Sequence, residues 1–226
     1  MVSIGSLSLS KSHRPTPQFD ANVLIEAARP LYANADPAHD FSHILRVYRN
    51  AKRIGKKEGA RMEVLLPAAL LHDCGCVAKL LGRSGDSNKR SLVIAREFLK
   101  RFGFSGRLIK EILYAIEVHG FSKGIIPETL EAKVLQDADR LDAIGAVGIA
   151  RVFAVSGARG RPFYEERDPF CSDREPDDAS FALDHFYRKL LKLDLGMHTE
   201  TGRRMARKRT LVLKRYLKDL ETEIGP

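Results

Sequence analysis

Apolar residues recur along this chain with a helical period, in segments separated by glycine, proline and charged residues. We find no convincing segment with the apolar–polar alternation of a half-buried strand. The pattern therefore predicts an all-α protein, a helical bundle with its C-terminal helices packed on it. The predicted helices cover about residues 20–31, 37–58, 61–72, 87–101, 107–119, 128–153, 180–195 and 199–223.

The predicted helix at 61–72 is apolar nearly all round, which indicates burial on every side. Pro67 requires a kink in it or a late helix start. The helix ends at His72-Asp73, so both side chains emerge inside the protein, where an unpaired carboxylate would be costly. A metal ion would compensate this charge, and imidazole with carboxylate is a donor set that divalent transition metals accept.

The second predicted helix opens at Asp36-Pro37, an N-cap carboxylate followed by a proline in the first turn. His43 lies on the apolar line of this helix and should face the core. A single histidine there is most often a hydrogen-bonded core residue. His39 lies one turn earlier and Asp40 beside it, which favours a site.

The predicted helix at 128–153 contains three aspartates, Asp137, Asp139 and Asp142. Such a group usually forms a solvated face. Here apolar residues flank it on both sides, so at least one carboxylate should point inward. The buried side is set by Leu135, Ala138 and Leu141.

Composition narrows the class of protein. The chain has 226 residues, a net charge of +9 and three cysteines. It is long enough for one substantial core, and few cysteines favour a reducing cytoplasm over a disulfide framework. No apolar run approaches ~18 residues, so we expect no membrane span. We expect a flexible lead-in at 1–19 and one domain at 20–226, with a core at about 20–155, a loop at 156–178 and C-terminal helices at 179–223.

Three motifs together resemble the HD domain superfamily of metal-dependent phosphohydrolases. They are Ser42–Val47, Ala69–Asp73 and Gln136–Asp142, and they place His, His-Asp and Asp in that order. The later Asp184-His185-Phe186-Tyr187 is similar to one bacterial branch of predicted HD hydrolases. The resemblance implies one divalent ion (Mn, Mg, Fe, Co, Ni or Zn) ligated by His43, His72, Asp73 and Asp139, with Asp142 supporting these ligands.

The same resemblance implies hydrolysis of a phosphate ester of a small metabolite or nucleotide. Asp73 would orient the attacking water, and His119 or Asp40 would transfer a proton. His119 equally suits a structural role at a helix C-terminus. The phosphate would be held by cations, with Lys79, Arg83 and Arg140 as the candidates.

The residue three positions after Asp73 departs from the known branches. Some nucleotidase branches carry glutamate there and cyclic-dinucleotide phosphodiesterases carry lysine, whereas this chain has Cys76. Their specific activities are therefore not transferred. Cys74 and Cys76 are a weak zinc motif, since no second cysteine pair accompanies them.

Two alternatives remain open. The strongly basic last helix admits a nuclease or nucleic-acid phosphodiesterase, although we expect at most weak, salt-sensitive nucleic-acid binding. A non-catalytic module that binds metal or nucleotide is the other. The sequence does not indicate an oligomeric state.

Overall fold

The structure is a computed structural model that describes residues 20–33, 40–76, 87–120 and 125–224. Within these ranges the chain is helical and contains no strand, which confirms the all-α prediction. Short 3₁₀ segments follow α1 (Arg29–Tyr32) and α8 (Leu190–Gly196). The α-helices are α1 (Ala21–Ala28), α2 (Phe41–Glu58), α3 (Met62–Leu71), α4 (Ser87–Arg101), α5 (Gly106–Val118), α6 (Leu130–Asp142), α7 (Gly145–Ala158), α8 (Asp184–Arg188) and α9 (Glu200–Ile224).

Helix α3 lies at the centre of the bundle, against α1, α2, α5 and α6. Most of its residues are buried, including Pro67 inside the helix, as its apolar sequence predicts. Helix α2 packs against both α3 and α6, and α4 packs against α5. The C-terminal end of α3 therefore opens into the region where α2, α5 and α6 meet.

Helix α2 begins later than predicted. Its N-cap is Asp40, whose carboxylate accepts a hydrogen bond from the backbone N–H of His43 at 3.0 Å. The predicted N-cap, Asp36, lies outside the described residues. Asp40 is engaged at the helix end, which does not favour the proton-transfer role considered for it.

The prediction of one helix at 128–153 is wrong. Helices α6 and α7 meet at an angle of 67°. Gly145 takes a left-handed φ of 79°, which ends the continuous helix. Gly148 then allows close contact, because a Cβ there would lie 2.3 Å from the carbonyl oxygen of Ala143. Apolar periodicity continues through the bend, so it did not indicate the break.

The predicted helix at 180–195 is also wrong in extent. Its α-helical part is the short α8, and Lys189, with φ −133° and ψ −58°, separates it from the 3₁₀ segment. Helix α9 packs against α2, α6 and α7, as expected for C-terminal helices docked on the bundle. Asp137 anchors its start, since its buried carboxylate accepts from the backbone N–H groups of His198 and Thr199, each at 2.8 Å.

No single helix in the described part of the chain is long and apolar enough to cross a membrane; only α6 and α7 together, across their bend, have the required length and composition. The lead-in predicted at 1–19 lies outside the described residues.

Candidate metal centre

Three histidines at the junction of α2, α3 and α5 have their ring orientation set by acceptors at Nδ1. His72 Nδ1 lies 2.9 Å from the carbonyl oxygen of Ala69, and His119 Nδ1 lies 2.5 Å from that of Ile116. A carbonyl oxygen only accepts, so both rings carry their proton at Nδ1. The neutral ring of His72 then has a lone pair at Nε2, which is what a metal ligand requires.

The Nε2 atoms of His43 and His72 lie close to two carboxylates. Asp73 Oδ2 lies 3.8 Å from His43 Nε2 and 3.7 Å from His72 Nε2. Asp139 Oδ1 lies 3.7 Å and 4.0 Å from the same two nitrogens. Ligand atoms of His43, His72 and Asp73 all lie within 4.8 Å of one another. Four side chains from α2, α6 and the turn after α3 thus converge on one region.

The donor set fits a divalent ion. His72 Nε2 is buried and has no hydrogen-bond partner among the described residues, which would be costly unless another group met its lone pair. Burial lowers the pKa of His72 to about 4, so its imidazole is neutral at pH 7, as a metal ligand must be. Asp139 is 30% exposed, so the centre is open to solvent on that side.

Asp142 supports His43 from behind. Its Oδ2 lies 2.7 Å from His43 Nδ1 and accepts from Arg151 at 2.8 Å, while Oδ1 accepts from Arg46 Nε at 2.7 Å. Burial alone would raise the pKa of Asp142, but the bonds from His43 and Arg46 and the Arg151 charge hold it well below its usual range. The carboxylate is therefore ionised and holds His43 with Nε2 toward the centre.

On the opposite side, Asp73 contacts two further groups. Cys76 donates its thiol to Asp73 Oδ1 at 3.1 Å, and His119 Nε2 lies 3.5 Å from the same oxygen. Burial opposes protonation of His119, but its hydrogen bond to Asp73 and the carboxylate charge outweigh this and raise its pKa. His119 also packs edge-on against His72, with ring centroids 5.1 Å apart. His119 therefore lies beside Asp73 and His72, and the catalytic role expected for it stays a prediction.

The contacts of Arg140 do not favour the phosphate-binding role predicted for it. Its guanidinium donates to Gln136 Oε1 at 2.6 Å and to the carbonyl oxygen of Gly196, and it lies 3.4 Å from His198 Nε2. These contacts join α6 to the segment before α9. The physical reason is its position on α6, one residue from Asp139 and so about 100° round the helix.

Other sequence candidates are accounted for as follows. Lys79, Arg83 and His39 lie outside the described residues. Arg90 donates to the carbonyl oxygen of Gly75 at 3.2 Å, which ties α4 to the turn after α3. Cys74 donates to the carbonyl oxygen of Ser91. Neither Cys74 nor Cys76 belongs to a group of metal-ligating atoms in the described residues, which gives no support to structural zinc.

Sequence reasoning missed two features of this region. It did not assign Asp137 to the start of α9, and it did not pair Asp142 with Arg46 and Arg151. Arg46 lies within the first motif, one turn after Ser42, so its position gave a weak signal. Arg151 lies nine residues beyond Asp142 and across a helix break, and no local pattern indicates that contact.

A known protein-family profile matches the part of the chain that contains this site. The HD domain profile matches residues 40–144, which contain all four proposed ligands. The chain is also 35% identical over 190 residues to the protein YpgQ of Bacillus subtilis, covering 82% of this chain and 84% of YpgQ.

The chain belongs to the HD domain family. Solved structures of similar proteins share its fold. A structure of B. subtilis YpgQ in complex with ADP has a TM-score of 0.70 at 33% identity, covering 91% of this chain and 95% of YpgQ. An HD-superfamily hydrolase from Bacillus thuringiensis has a TM-score of 0.69 at 30% identity, covering 90% and 95%. A predicted HD superfamily hydrolase from an uncultured Thermotogales bacterium has a TM-score of 0.64 at 30% identity, covering 90% and 92%.

Proposed function

We propose that this HD domain protein is a metal-dependent phosphohydrolase that acts on a small phosphorylated substrate, with nucleotides as the preferred class. The convergence of imidazoles and carboxylates carries this proposal, because it fits a divalent ion with positions left for other oxygen ligands. The hydrolase relatives support the reaction class. The ADP complex of YpgQ supports the substrate class.

His43, His72, Asp73 and Asp139 would hold one ion. When bound, it would polarise a phosphate oxygen and lower the pKa of water. Asp73 would orient the attacking water, on the side of the phosphorus opposite the leaving oxygen. His119, whose raised pKa favours a proton on Nε2, would donate to the leaving oxygen.

We propose Lys79 and Arg83 as the phosphate-binding cations from their position in the sequence alone. Both lie among residues 77–86, outside the described residues, and this stretch follows Cys76 directly in the sequence. Cys76, the last described residue before this stretch, contacts Asp73 of the centre. We no longer include Arg140, since its guanidinium joins α6 to the C-terminal segment.

A nucleic-acid substrate is the second candidate, and one surface favours it. A concave surface of about 350 Å³ between α2 and α9, which we name the basic groove, is lined by five cationic side chains. Its lining contains no acidic residue. It comprises Arg53, Lys57, Arg204, Lys208 and Arg209, with Thr201 and Met205.

One experiment separates these candidates. Purified protein is loaded in turn with Mn²⁺, Mg²⁺, Fe²⁺, Co²⁺, Ni²⁺ and Zn²⁺ and assayed against AMP, ADP, ATP, p-nitrophenyl phosphate, its bis ester and short oligonucleotides. We expect release of phosphate or pyrophosphate from nucleotides, abolished by chelation and in Asp139→Ala. Preferential cleavage of oligonucleotides would favour the second candidate. Tight metal binding without turnover of any substrate would refute both and favour a regulatory module.

A further inference from the structure

A second cavity lies between α7, the loop that follows it and α8. Its volume is about 490 Å³, within the range of small-molecule sites. The lining combines apolar walls with a concentration of charged groups. The charged or titratable side chains are Arg151, Arg159, Arg161, Asp178, His185 and Lys189.

The positive charges in this cavity exceed the negative ones. Asp178 is the acidic residue in the lining, and it already accepts from His185 Nδ1 at 2.8 Å and lies 3.6 Å from Arg188. Burial lowers the pKa of His185, which leaves the ring neutral. Asp142 already balances the charge of Arg151. One carboxylate therefore faces Arg159, Arg161 and Lys189, and an anionic ligand would balance the remaining positive charge.

Two of the arginines have unused hydrogen-bonding capacity. Arg161 donates from Nη1 to the carbonyl oxygen of Asp178, but its Nε is buried and has no hydrogen-bond partner among the described residues. Arg161 Nη2 also makes no hydrogen bond in the described part of the chain, so this guanidinium keeps a donor for a ligand oxygen. Arg159 is exposed at the end of α7 and makes no ion pair in the described part of the chain.

The cavity lies behind the metal centre. Arg151 is common to both, since its Nη1 contacts Asp142 at 2.8 Å and lies 3.3 Å from His43 Nδ1. The proposed metal position lies at the other ring nitrogen of His43, Nε2. His43 and Asp142 are both buried and lie between the cavity and the proposed metal position.

We propose that this cavity is a second binding site, for a small molecule that carries a phosphate or polyphosphate group. The concave shape and apolar walls suit a small molecule rather than a nucleic acid or membrane surface. The guanidinium groups of Arg159 and Arg161 supply the bidentate donors that phosphate oxygens prefer. The proposal does not depend on the proposed activity, because the ligand binds away from the metal.

The test is calorimetric titration of inorganic pyrophosphate into the full chain with chelator present. Without metal, the carboxylates of the HD centre repel the anion, so binding there is suppressed. We expect saturable binding of one pyrophosphate per chain. Arg159→Gln and Arg161→Gln should each weaken it about tenfold, the loss of one charge-assisted hydrogen bond. Arg159→Lys, which keeps the charge, should weaken it less.

Lys208→Gln in the basic groove is the matched control, since it removes the same charge from the other cationic concavity. It should leave the affinity within about twofold. Thermal melting of every variant checks that the fold is kept, and ADP in place of pyrophosphate tests whether a nucleoside is accepted. Absence of saturable binding up to about 1 mM would overturn the proposal. So would equal weakening by Lys208→Gln, which would place the anion elsewhere or indicate a diffuse charge effect.

Discussion

Asp142→Asn is the most informative single change, because it keeps the shape of a buried side chain and removes only its charge. The carboxylate is 1% exposed and is contacted by His43, Arg46 and Arg151 at 2.7, 2.7 and 2.8 Å. The amide that replaces it keeps one acceptor oxygen for these donors. Two arginines then lose their counter-charge, and His43 Nδ1–H must compete with them for the one remaining acceptor.

The expected magnitudes follow from these contacts. Removing one member of a buried ion pair costs about 3–5 kcal/mol. Arg46 and Arg151 retain 29% and 19% exposure, so water can partly solvate their charges. We therefore expect the lower end, a loss of about 3 kcal/mol in the free energy of unfolding. Loss of an acceptor behind a metal-ligating histidine weakens metal binding about 10–100-fold, and we expect that range here.

Denaturant unfolding of metal-free protein measures the first quantity, and calorimetric titration of Mn²⁺ measures the second. Asp184→Asn is the matched control. Asp184 is equally buried and accepts two bonds from Arg174, but it lies on α8, away from the metal centre. It should destabilise the fold and leave the Mn²⁺ affinity unchanged. If Asp142→Asn bound Mn²⁺ as tightly as the wild type, the role given to Asp142 would be wrong.

Three further predictions concern other parts of the chain. Asp139→Ala should lose both the metal and turnover. Lys79→Ala should keep the metal but lose about 2–4 kcal/mol of transition-state stabilisation, which lowers its turnover. Metal analysis and phosphate release, measured on both variants, distinguish the two cases, and loss of metal in Lys79→Ala would contradict the role given to Lys79. Gly75→Ala should destabilise the fold by at least about 1–3 kcal/mol, because its Cβ would lie 2.4 Å from the backbone nitrogen of Ser91, while Gly106→Ala meets nothing within 4 Å and should be neutral in the same denaturation assay. Nucleic-acid binding by the basic groove should disappear by about 200 mM salt in an anisotropy titration, and tight binding that survives this salt would instead favour a nucleic-acid substrate.

Local patterns were sufficient for the helices that form the centre. The ends of α3, α4 and α5 agree with the predicted bounds to within one residue, because their apolar faces and end residues are local features. The convergence of His43, His72, Asp73 and Asp139 was also predictable, since each is polar beside an apolar stripe and the three motifs resemble one family. That these residues bind an ion stays a prediction.

Only the tertiary structure decided how charged groups pair over long distances. Arg140 looked like a phosphate-binding residue, yet packing of the C-terminal segment places Gly196 and His198 against it. Asp142 meets Arg46 across 96 residues of chain, and Arg151 beyond the bend at Gly145. Hydrophobic periodicity records which face of a helix is buried. It carries no information on which distant charge meets that face, because the relative placement of the packed helices determines it.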